Sequence, residues 1–340
     1  MLVSDFDYEL PEELIAQEPP PARGSSRMLV VSRTNETFQD DLFCNFHKYV
    51  GPGDCLVLNS TRVFSARLRG RRQSPAGAQV EVFLLRASRE NENIWTVLVR
   101  PARRARAGDT IVFDDSLSAD VIDARDHGER TLHFHSKEPL MEIVERIGSV
   151  PLPPYIHRAP NASDLERYQT VFAQKRGSVA APTAGLHFTP EMLDACRNAG
   201  AEIAFVTLHV GLGTFAPLRA REVENVRLHQ EYFEIEEAEA ARMRTARRLV
   251  CIGTTSVRSV ETAALQGGLR AIEGETNLFI SPGFLFQATG ALLTNFHLPQ
   301  SSLLILVSAF AGRELILRAY RHAIEERYRF FSYGDSMFIE

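Results

Sequence analysis

The chain is organised around four consecutive segments: Ser178-Val179-Ala180-Ala181-Pro182-Thr183-Ala184-Gly185-Leu186-His187-Phe188, then Thr189 to Ala199, then Ala204-Phe205-Val206-Thr207-Leu208, then His209-Val210-Gly211-Leu212-Gly213-Thr214-Phe215. Their composition predicts a loop, a helix, a strand and a second loop, in that order. The helix has the expected signals, with Thr189 as N-cap, Pro190 at the first helical position and Gly200 past the end. This order of elements indicates an α/β domain.

Both loops of this stretch bring together small residues, a histidine and a threonine. Glycine and alanine let backbone N–H groups approach a ligand closely, and ligands of α/β sheets usually bind outside the carboxyl ends of the strands. A loop that served only as a turn would need one glycine or asparagine rather than a second polar cluster across one helix. We therefore expect the functional site here.

Length and composition limit the class of protein. A chain of 340 residues exceeds the size at which one hydrophobic core keeps growing, so we expect two domains. The net charge of -5 argues against a uniformly basic nucleic-acid binder. The four cysteines form no C-x-x-C pair and no signal peptide is visible, which predicts reduced thiols in a cytoplasmic protein without structural zinc. The longest apolar run, 303–311, is too short to span a membrane.

Charge changes abruptly between Arg62 and Arg106. This stretch holds eleven arginines, three glutamates and no lysine or aspartate, so its balance is eleven minus three, or +8. Short apolar runs at 78–85, 94–99, 110–113, 119–122 and 131–134 alternate with turn residues, which predicts a small antiparallel β-barrel. The arginines suit either a solvated edge that discourages strand aggregation or a face that contacts nucleic-acid phosphates. Their concentration in one module favours the second interpretation.

These shifts predict a discontinuous organisation. Residues 1–62 and 150–340 would form a large α/β catalytic domain, and residues 63–149 an inserted, arginine-rich antiparallel β-barrel domain. The proline-rich segment Pro151-Leu152-Pro153-Pro154 would carry the chain back.

Two further segments repeat the chemistry of the central stretch. The predicted strand 249–252 ends in Gly253-Thr254-Thr255 at the start of a helix, whose N-terminus can hold an anion. Another strand ends in Thr294-Asn295-Phe296-His297. A single histidine is more often a hydrogen-bonded structural residue than a catalyst. Because His187, His209 and His297 share a place at strand or helix ends, we expect a catalytic or ligand role for at least one of them.

Two common motifs are matched only in part or not at all by this sequence. The pattern Gly211-x-Gly213-x-x-Ala216 formally matches the glycine loop of dinucleotide-binding proteins and of methyltransferases, but no apolar helical stripe follows it. The histidines lack H-E-x-x-H or H-x-x-x-H spacing, so we predict no metal.

Seven spaced blocks of the sequence together resemble one family, the S-adenosylmethionine:tRNA ribosyltransferase-isomerases of the queuosine pathway. The blocks are Asn59–Val63, Pro151–Ile156, Ala180–Phe188, Val206–Phe215, Gly253–Ser259, Thr294–Pro299 and Arg329–Asp335. The resemblance covers the whole chain and is weakest at 72–135 and 270–276.

The resemblance implies a large α/β domain with a smaller inserted β-barrel domain. It also implies that the ribosyl part of S-adenosylmethionine is transferred and isomerised onto 7-aminomethyl-7-deazaguanine at the tRNA wobble position. The products would be epoxyqueuosine-tRNA, adenine and methionine, so S-adenosylmethionine is consumed as a substrate and no cofactor is expected. The implied partners are this tRNA and S-adenosylmethionine, with no membrane, and we expect a monomer.

Residue roles follow from this chemistry. A general base must remove a ribose proton beside the sulfonium and a general acid must protonate the leaving adenine, which suits His187, His209 and His297 in an order left open. Asp335 is expected to meet the substrate amine, and Arg258 the methionine carboxylate or a tRNA phosphate. The predicted substrate contacts are Arg62, Pro182, Thr183, Gly185, Phe188, Gly211, Gly213, Thr214, Phe215, Gly253, Thr254, Thr255, Arg258, Asn295 and Tyr333. The predicted tRNA contacts are Arg67, Arg69, Arg71 and Arg72.

Two interpretations from other classes stay open at this point. An S-adenosylmethionine-dependent RNA methyltransferase would release S-adenosylhomocysteine instead of adenine. A non-catalytic tRNA-binding protein would release nothing from S-adenosylmethionine.

Overall fold

A computed structural model describes residues 1–73, 77–88, 90–211, 218 and 220–340. The chain divides into two compact units. Unit 1 comprises Met1–Arg62, Pro153–Ala159 and Glu166–Glu340, and unit 2 comprises Val63–Leu152 and Pro160–Leu165. The sequence had assigned residues 150–152 and 160–165 to the large domain, whereas the contacts group them with the second unit.

The elements run in the following order along the chain. The strands are β1 Arg27–Ser32, β2 Thr37–Leu42, β3 Asp54–Asn59, β4 Thr61–Val63, β5 Arg67–Arg72, β6 Gln79–Ala87, β7 Ile94–Arg100, β8 Thr110–Val112, β9 Leu117–Ala124, β10 Glu129–Ser136, β11 Lys175–Ser178, β12 Glu202–Leu208, β13 Glu231–Ile235, β14 Arg248–Ile252, β15 Ile272–Thr276, β16 Thr289–Asn295 and β17 Ser336–Ile339. The helices are α1 Leu140–Ile147, α2 Asp164–Arg167, α3 Pro190–Asn198, α4 Glu237–Thr245, α5 Thr254–Leu265, α6 Ser302–Ala311 and α7 Arg313–Glu325. No helix in these described ranges is long and apolar enough to cross a membrane.

Unit 1 is built on one mixed sheet in the order β15-β13-β12-β3-β14-β16-β17-β1-β2. The central strands β12, β3, β14 and β16 run parallel to one another. Their carboxyl ends, at Leu208, Asn59, Ile252 and Asn295, therefore lie along the same edge of the sheet, which we call the carboxyl edge. Because β13 and β17 are antiparallel to their neighbours β12 and β16, their first residues lie at this edge too.

Both faces of the central strands are buried, as expected of parallel strands. In β14, Leu249 and Cys251 pack into the layer with α4, α5, α6 and α7, while Val250 and Ile252 pack into the layer with α3. The alternation follows from the two-residue period of a strand. It explains the continuous apolar run at 249–252 that the sequence shows before Gly253.

The helix at the centre of the sequence prediction is α3. Its N-cap Thr189 accepts a hydrogen bond from the Met192 N–H at 3.2 Å, and Pro190 opens the helix, as the capping signals predicted. The strand that follows is β12, in the interior of the sheet.

Unit 2 contains a closed barrel in the strand order β10-β7-β6-β5-β8-β9, with antiparallel pairing between neighbours. Its interior is filled by fully buried apolar side chains, among them Leu68, Val82, Val97, Ile111 and Leu132. The prediction of an α/β domain with a small antiparallel β-barrel is therefore confirmed.

Candidate active site

The segment Ser178–Phe188 runs along the carboxyl edge and joins three strand ends. Near its start a backbone N–H donates to the Val210 carbonyl just past β12, at 3.1 Å. Its middle packs on Gly253, which follows β14, and its last turn hydrogen-bonds to Asn295 at the end of β16. The segment chosen from sequence as the centre of the site therefore does lie along this edge. We call the two ends of this segment's path the β12 end and the β16 end. The histidines at these two ends differ in their hydrogen bonding.

Two glycines allow this path. Gly253 has a φ of +89°, a left-handed value that favours glycine, and its N–H donates to the Leu293 carbonyl at 2.7 Å before α5 begins. Gly185 is buried, and a Cβ there would lie 2.8 Å from Cζ of Phe172. The chain can therefore turn tightly at the carboxyl edge. Thr254 and Thr255 follow Gly253 at the N-terminus of α5.

At the β12 end, His209 is half-buried and held on one side. Its Nδ1 hydrogen-bonds to the Thr61 hydroxyl at 2.7 Å, and its ring stacks on Tyr232 with 5.4 Å between centroids. A Cβ on Gly177 would lie 2.5 Å from Nε2, so only glycine leaves room for the imidazole. Burial lowers the pKa of His209 to about 4. Within the described residues its Nε2 has no hydrogen-bond partner, so the ring is neutral and presents one open nitrogen.

Beside His209 lies a buried ion pair. The Arg258 guanidinium donates through Nη1 to a Glu231 carboxylate oxygen and through Nε to the Leu278 carbonyl at 3.1 Å. The other Glu231 oxygen accepts the Gly211 N–H at 2.8 Å. In the described part of the chain, Arg258 Nη2 and the Thr255 hydroxyl are buried without a hydrogen-bond partner. The pair thus fixes the start of the glycine loop and leaves two donors for a ligand.

At the β16 end, His187 is buried and fully engaged. Its Nδ1 hydrogen-bonds to the Ser26 hydroxyl at 2.7 Å, and its Nε2 accepts from the Asn295 amide at 3.2 Å. The Phe43 ring covers it at 5.3 Å between centroids. Burial lowers the pKa of His187 to about 4, so the ring is neutral and links the start of β1 to the end of β16.

His297 and Asp335 also serve the scaffold at this end. His297 is buried with Nε2 bonded to the Thr294 hydroxyl at 2.8 Å, and burial lowers its pKa to about 3. The two Asp335 carboxylate oxygens accept the backbone N–H groups of Arg27 and Arg329, each at 2.8 Å. Burial raises the pKa of Asp335. These side chains hold the ends of β1, β16 and β17 in place.

The remaining predicted substrate contacts are spread over different environments. Phe188 is fully buried against Phe43 and Phe46 and packs in the core, so its ring is enclosed by protein and not open to a substrate. Pro182 is buried and Thr183 half-buried in the turn before His187, while Arg62 is exposed on β4. Gly213, Thr214 and Phe215 lie outside the residues that the structure describes.

A cleft opens beside His187. Its lining comprises Pro19, Pro20, Gly24, Arg167, Leu186, His187, Ser332, Tyr333 and Gly334, and its empty volume of about 280 Å³ includes open solvent at its mouth. Tyr333 packs edge-on against Tyr168, with 5.8 Å between ring centroids. Of the predicted substrate contacts, Tyr333 therefore lines a concave surface together with His187.

The sequence prediction missed several members of this arrangement. Ser26 reaches His187 from a distant part of the chain, and no local motif marks it. Glu231 lies at the start of β13, two residues after His229, and an acid at the start of a strand is the sequence signal that could have identified it as the partner of Arg258. Thr61 did stand in one of the resembling blocks, although no role was assigned to it.

Among the described residues, no group of three or more His, Cys, Asp or Glu side chains is placed to hold a metal ion.

The four barrel arginines predicted to contact tRNA divide into two pairs on β5. Arg67 forms an ion pair with Glu81 at 3.0 Å and Arg72 one with Asp109 at 3.6 Å. Arg69 and Arg71 are exposed. They leave their charges to solvent on the outer face of the strand, whose alternate residues Leu68 and Gly70 point into the barrel.

Comparison with known proteins agrees with this architecture. The profile of the family described as "Queuosine biosynthesis protein" matches residues 3–339. The S-adenosylmethionine:tRNA ribosyltransferase-isomerase of Solibacter usitatus is 54% identical over 355 residues, and that of Citrifermentans bemidjiense is 48% identical over 343, each covering 100% of both chains. The crystal structure of S-adenosylmethionine tRNA ribosyltransferase from Thermotoga maritima is similar with a TM-score of 0.57 and 36% identity, over 99% of this chain and 100% of that one. The chain therefore belongs to the queuosine biosynthesis protein family.

Proposed function

We propose that this protein transfers and isomerises the ribosyl moiety of S-adenosylmethionine onto 7-aminomethyl-7-deazaguanine at the wobble position of tRNA. The products are epoxyqueuosine-tRNA, adenine and methionine. The observation that carries the proposal is the match to relatives of this name over the full length of both chains. This match therefore includes the residues of both the carboxyl edge and the barrel.

His209 is the histidine best placed to act as general base. The positive sulfonium acidifies the C–H of the ribose carbon bonded to it, so a neutral nitrogen within hydrogen-bond reach can remove that proton. Nε2 of His209 has no partner within the described residues, and the pKa of about 4 keeps the imidazole unprotonated near pH 7. Thr61 would orient the ring by holding Nδ1, as a second residue commonly does for a catalytic histidine.

Arg258 is proposed to bind the methionine carboxylate of S-adenosylmethionine. Nη2 of Arg258 and the Thr255 hydroxyl are buried donors near the start of α5, where the partial positive charge of the helix terminus favours an anion. Glu231 balances the charge of Arg258. A site with this charge balance suits a ligand with a single carboxylate better than a more highly charged ligand. The methionine end of the substrate would then lie beside His209.

tRNA would contact the barrel through Arg69 and Arg71, because these arginines are exposed and carry no ion pair within the described residues. The tRNA substrate favours the cytoplasm as the place of action. We also propose that the enzyme acts as a monomer and needs no cofactor beyond the S-adenosylmethionine that it consumes.

Chromatography of the small molecules released by purified protein tests the reaction. Incubation with S-adenosylmethionine and tRNA carrying 7-aminomethyl-7-deazaguanine should release adenine and methionine in equal amounts. Unmodified tRNA serves as the control and should give neither. S-adenosylhomocysteine would identify a methyltransferase instead, and no product with tRNA still bound would identify a binding protein.

A further inference from the structure

Two arginines meet at the cleft beside His187. Arg167 lines the cleft directly, and Arg23 precedes its wall residue Gly24. Arg23 donates through Nη1 to the Leu186 carbonyl and through Nη2 to the Glu166 carbonyl, each at 3.0 Å. These bonds bring both guanidinium groups to the same end of the segment Ser178–Phe188.

Neither guanidinium has a carboxylate partner within the described residues. Arg167 donates to the carbonyls of Pro20 at 2.6 Å and Pro21 at 3.4 Å, so both arginines bond only to neutral carbonyl oxygens. Two of the five N–H donors on each group are used in this way, and three remain. The position of both side chains is therefore fixed by neutral carbonyl groups, and the Glu166 carboxylate, which forms no ion pair with either within the described residues, offsets the charge of Arg23 only in part.

The two charges also repel each other. Burial, and after it the positive charge of Arg167, lower the pKa of the Arg23 guanidinium. An anion placed between the two groups would relieve this repulsion, and guanidinium groups bind oxyanions in a planar, bidentate geometry. The cleft is thus arranged for an oxyanion, with the Tyr333 ring in its wall beside that position.

We propose that Arg23 and Arg167 form an oxyanion subsite that binds a phosphodiester of the tRNA next to the wobble nucleotide. This inference rests on the proposed function for the identity of the nucleic acid. The other oxyanion available in that reaction is the carboxylate of S-adenosylmethionine. That carboxylate already has a proposed place at Arg258, beside the start of β13. Four strand spacings separate β13 from β16, or roughly 19 Å at about 4.8 Å each.

The test compares Arg167→Gln and Arg23→Gln with the wild-type protein. The probe is an anticodon stem-loop RNA carrying 7-aminomethyl-7-deazaguanine, and its Kd is measured over a range of salt concentrations without S-adenosylmethionine. Each variant should weaken binding by roughly 10- to 100-fold, the effect of losing a hydrogen bond to a charged group. Loss of one phosphate contact should also reduce the slope of log Kd against log salt by roughly 0.7 to 0.9.

Matched variants separate charge from folding. Arg321→Gln removes an equal charge from an exposed position on α7 and should leave the Kd within about twofold of wild type. Arg167→Lys keeps the charge but lacks the planar fork, so it should recover part of the binding that Arg167→Gln loses, and thermal unfolding checks that each variant is folded. If Arg167→Gln does not fold, Arg23→Gln carries the comparison.

The outcomes distinguish the possible sources of the anion. Unchanged RNA affinity in folded Arg23→Gln and Arg167→Gln would overturn the subsite. Unchanged RNA affinity with a KM for S-adenosylmethionine raised tenfold would assign the arginines to the substrate carboxylate and overturn the phosphate proposal. If the wild-type protein released no adenine but bound the RNA through these arginines, the subsite would stand while the proposed reaction failed.

Discussion

Histidines lie at both ends of the carboxyl edge, but their ring nitrogens differ in how they are hydrogen-bonded. At the β16 end, both ring nitrogens of His187 and Nε2 of His297 are hydrogen-bonded within a buried scaffold. At the β12 end, Thr61 holds one nitrogen of the half-buried His209, and Nε2 has no partner in the described ranges. All three histidines follow or adjoin a strand end, so location alone does not separate a scaffold residue from a reacting one. The difference lies in which nitrogen is left available.

The largest effect that tests this comparison is expected at His209. His209→Gln should lower kcat by roughly 10²- to 10⁴-fold, the usual contribution of a general base, with little change in the KM for tRNA. Adenine release under saturating substrates measures kcat. Thermal unfolding should show that the variant is folded.

His187→Gln is the matched substitution at the other end. Because both nitrogens of His187 are occupied by Ser26 and Asn295, we expect a loss of stability that exceeds its direct effect on turnover. Folded His187→Gln with a kcat as low as that of His209→Gln would reverse the assignment. Wild-type turnover in His209→Gln would remove His209 from the chemistry.

The second effect concerns the ion pair beside His209. Glu231→Gln would leave the Arg258 charge buried without its counter-charge, and breaking a buried pair in this way costs about 3–5 kcal/mol. We expect a loss of that size in the free energy of unfolding of unit 1, measured by denaturant titration.

A double variant provides the control. Glu231→Gln combined with Arg258→Met removes both charges and should recover much of the lost stability, because an apolar replacement of a buried pair is often neutral. Activity should stay low in the double variant if Arg258 binds the methionine carboxylate. Recovery of both stability and activity would contradict that role.

The third effect is a dependence of stability on pH, to which His209 at the β12 end and His187 and His297 at the β16 end all contribute, and His187→Gln isolates one part of it. In the unfolded chain His187 has a pKa near 6.5, and burial lowers it to about 4 in the fold. Between these values the unfolded state binds more protons, so stability should be complete above pH 6.5 and fall as the pH drops towards 4. For His187 alone the loss is about 3 kcal/mol, and His297 adds to it.

Unfolding free energies measured from pH 7.5 to 4 would show this slope. His187→Gln should be less stable at pH 7.5 but should lose less of its remaining stability on acidification than the wild-type protein. A variant with the same slope as wild type would mean that His187 is already protonated in the fold or is not buried there.

The sequence predicted the fold elements of this edge well because their signals are local. Thr189 and Pro190 mark the start of α3, and Gly253 marks the turn from β14 into α5. The difference in hydrogen bonding between His187 and His209 could not be predicted in this way. Ser26 meets His187 across 161 positions of the chain and Thr61 meets His209 across 148, so only the folded sheet brings these partners together.

The core role of Phe188 was equally hidden from the sequence. The sequence predicts Phe188 as a substrate contact, but Phe43 and Phe46 come from a distant segment to enclose it. The barrel shows the same limit. Its net charge could be counted from the sequence, yet the ion pair of Arg67 with Glu81 depends on the pairing of β5 with β6.

The smallest expected effect concerns the barrel, where some arginines are ion-paired and others are exposed. Arg69→Gln and Arg71→Gln should each weaken tRNA binding several-fold and reduce its salt dependence, because exposed arginines without ion pairs release counterions when they meet phosphates. Arg67→Gln is the matched control on the same strand, since its charge is already balanced by Glu81. The KM for S-adenosylmethionine should stay unchanged in all three. The contrary result is that Arg67→Gln weakens tRNA binding as much as Arg69→Gln does. That result would show that the arginines of β5 act through their total charge, whether or not each one is exposed or ion-paired.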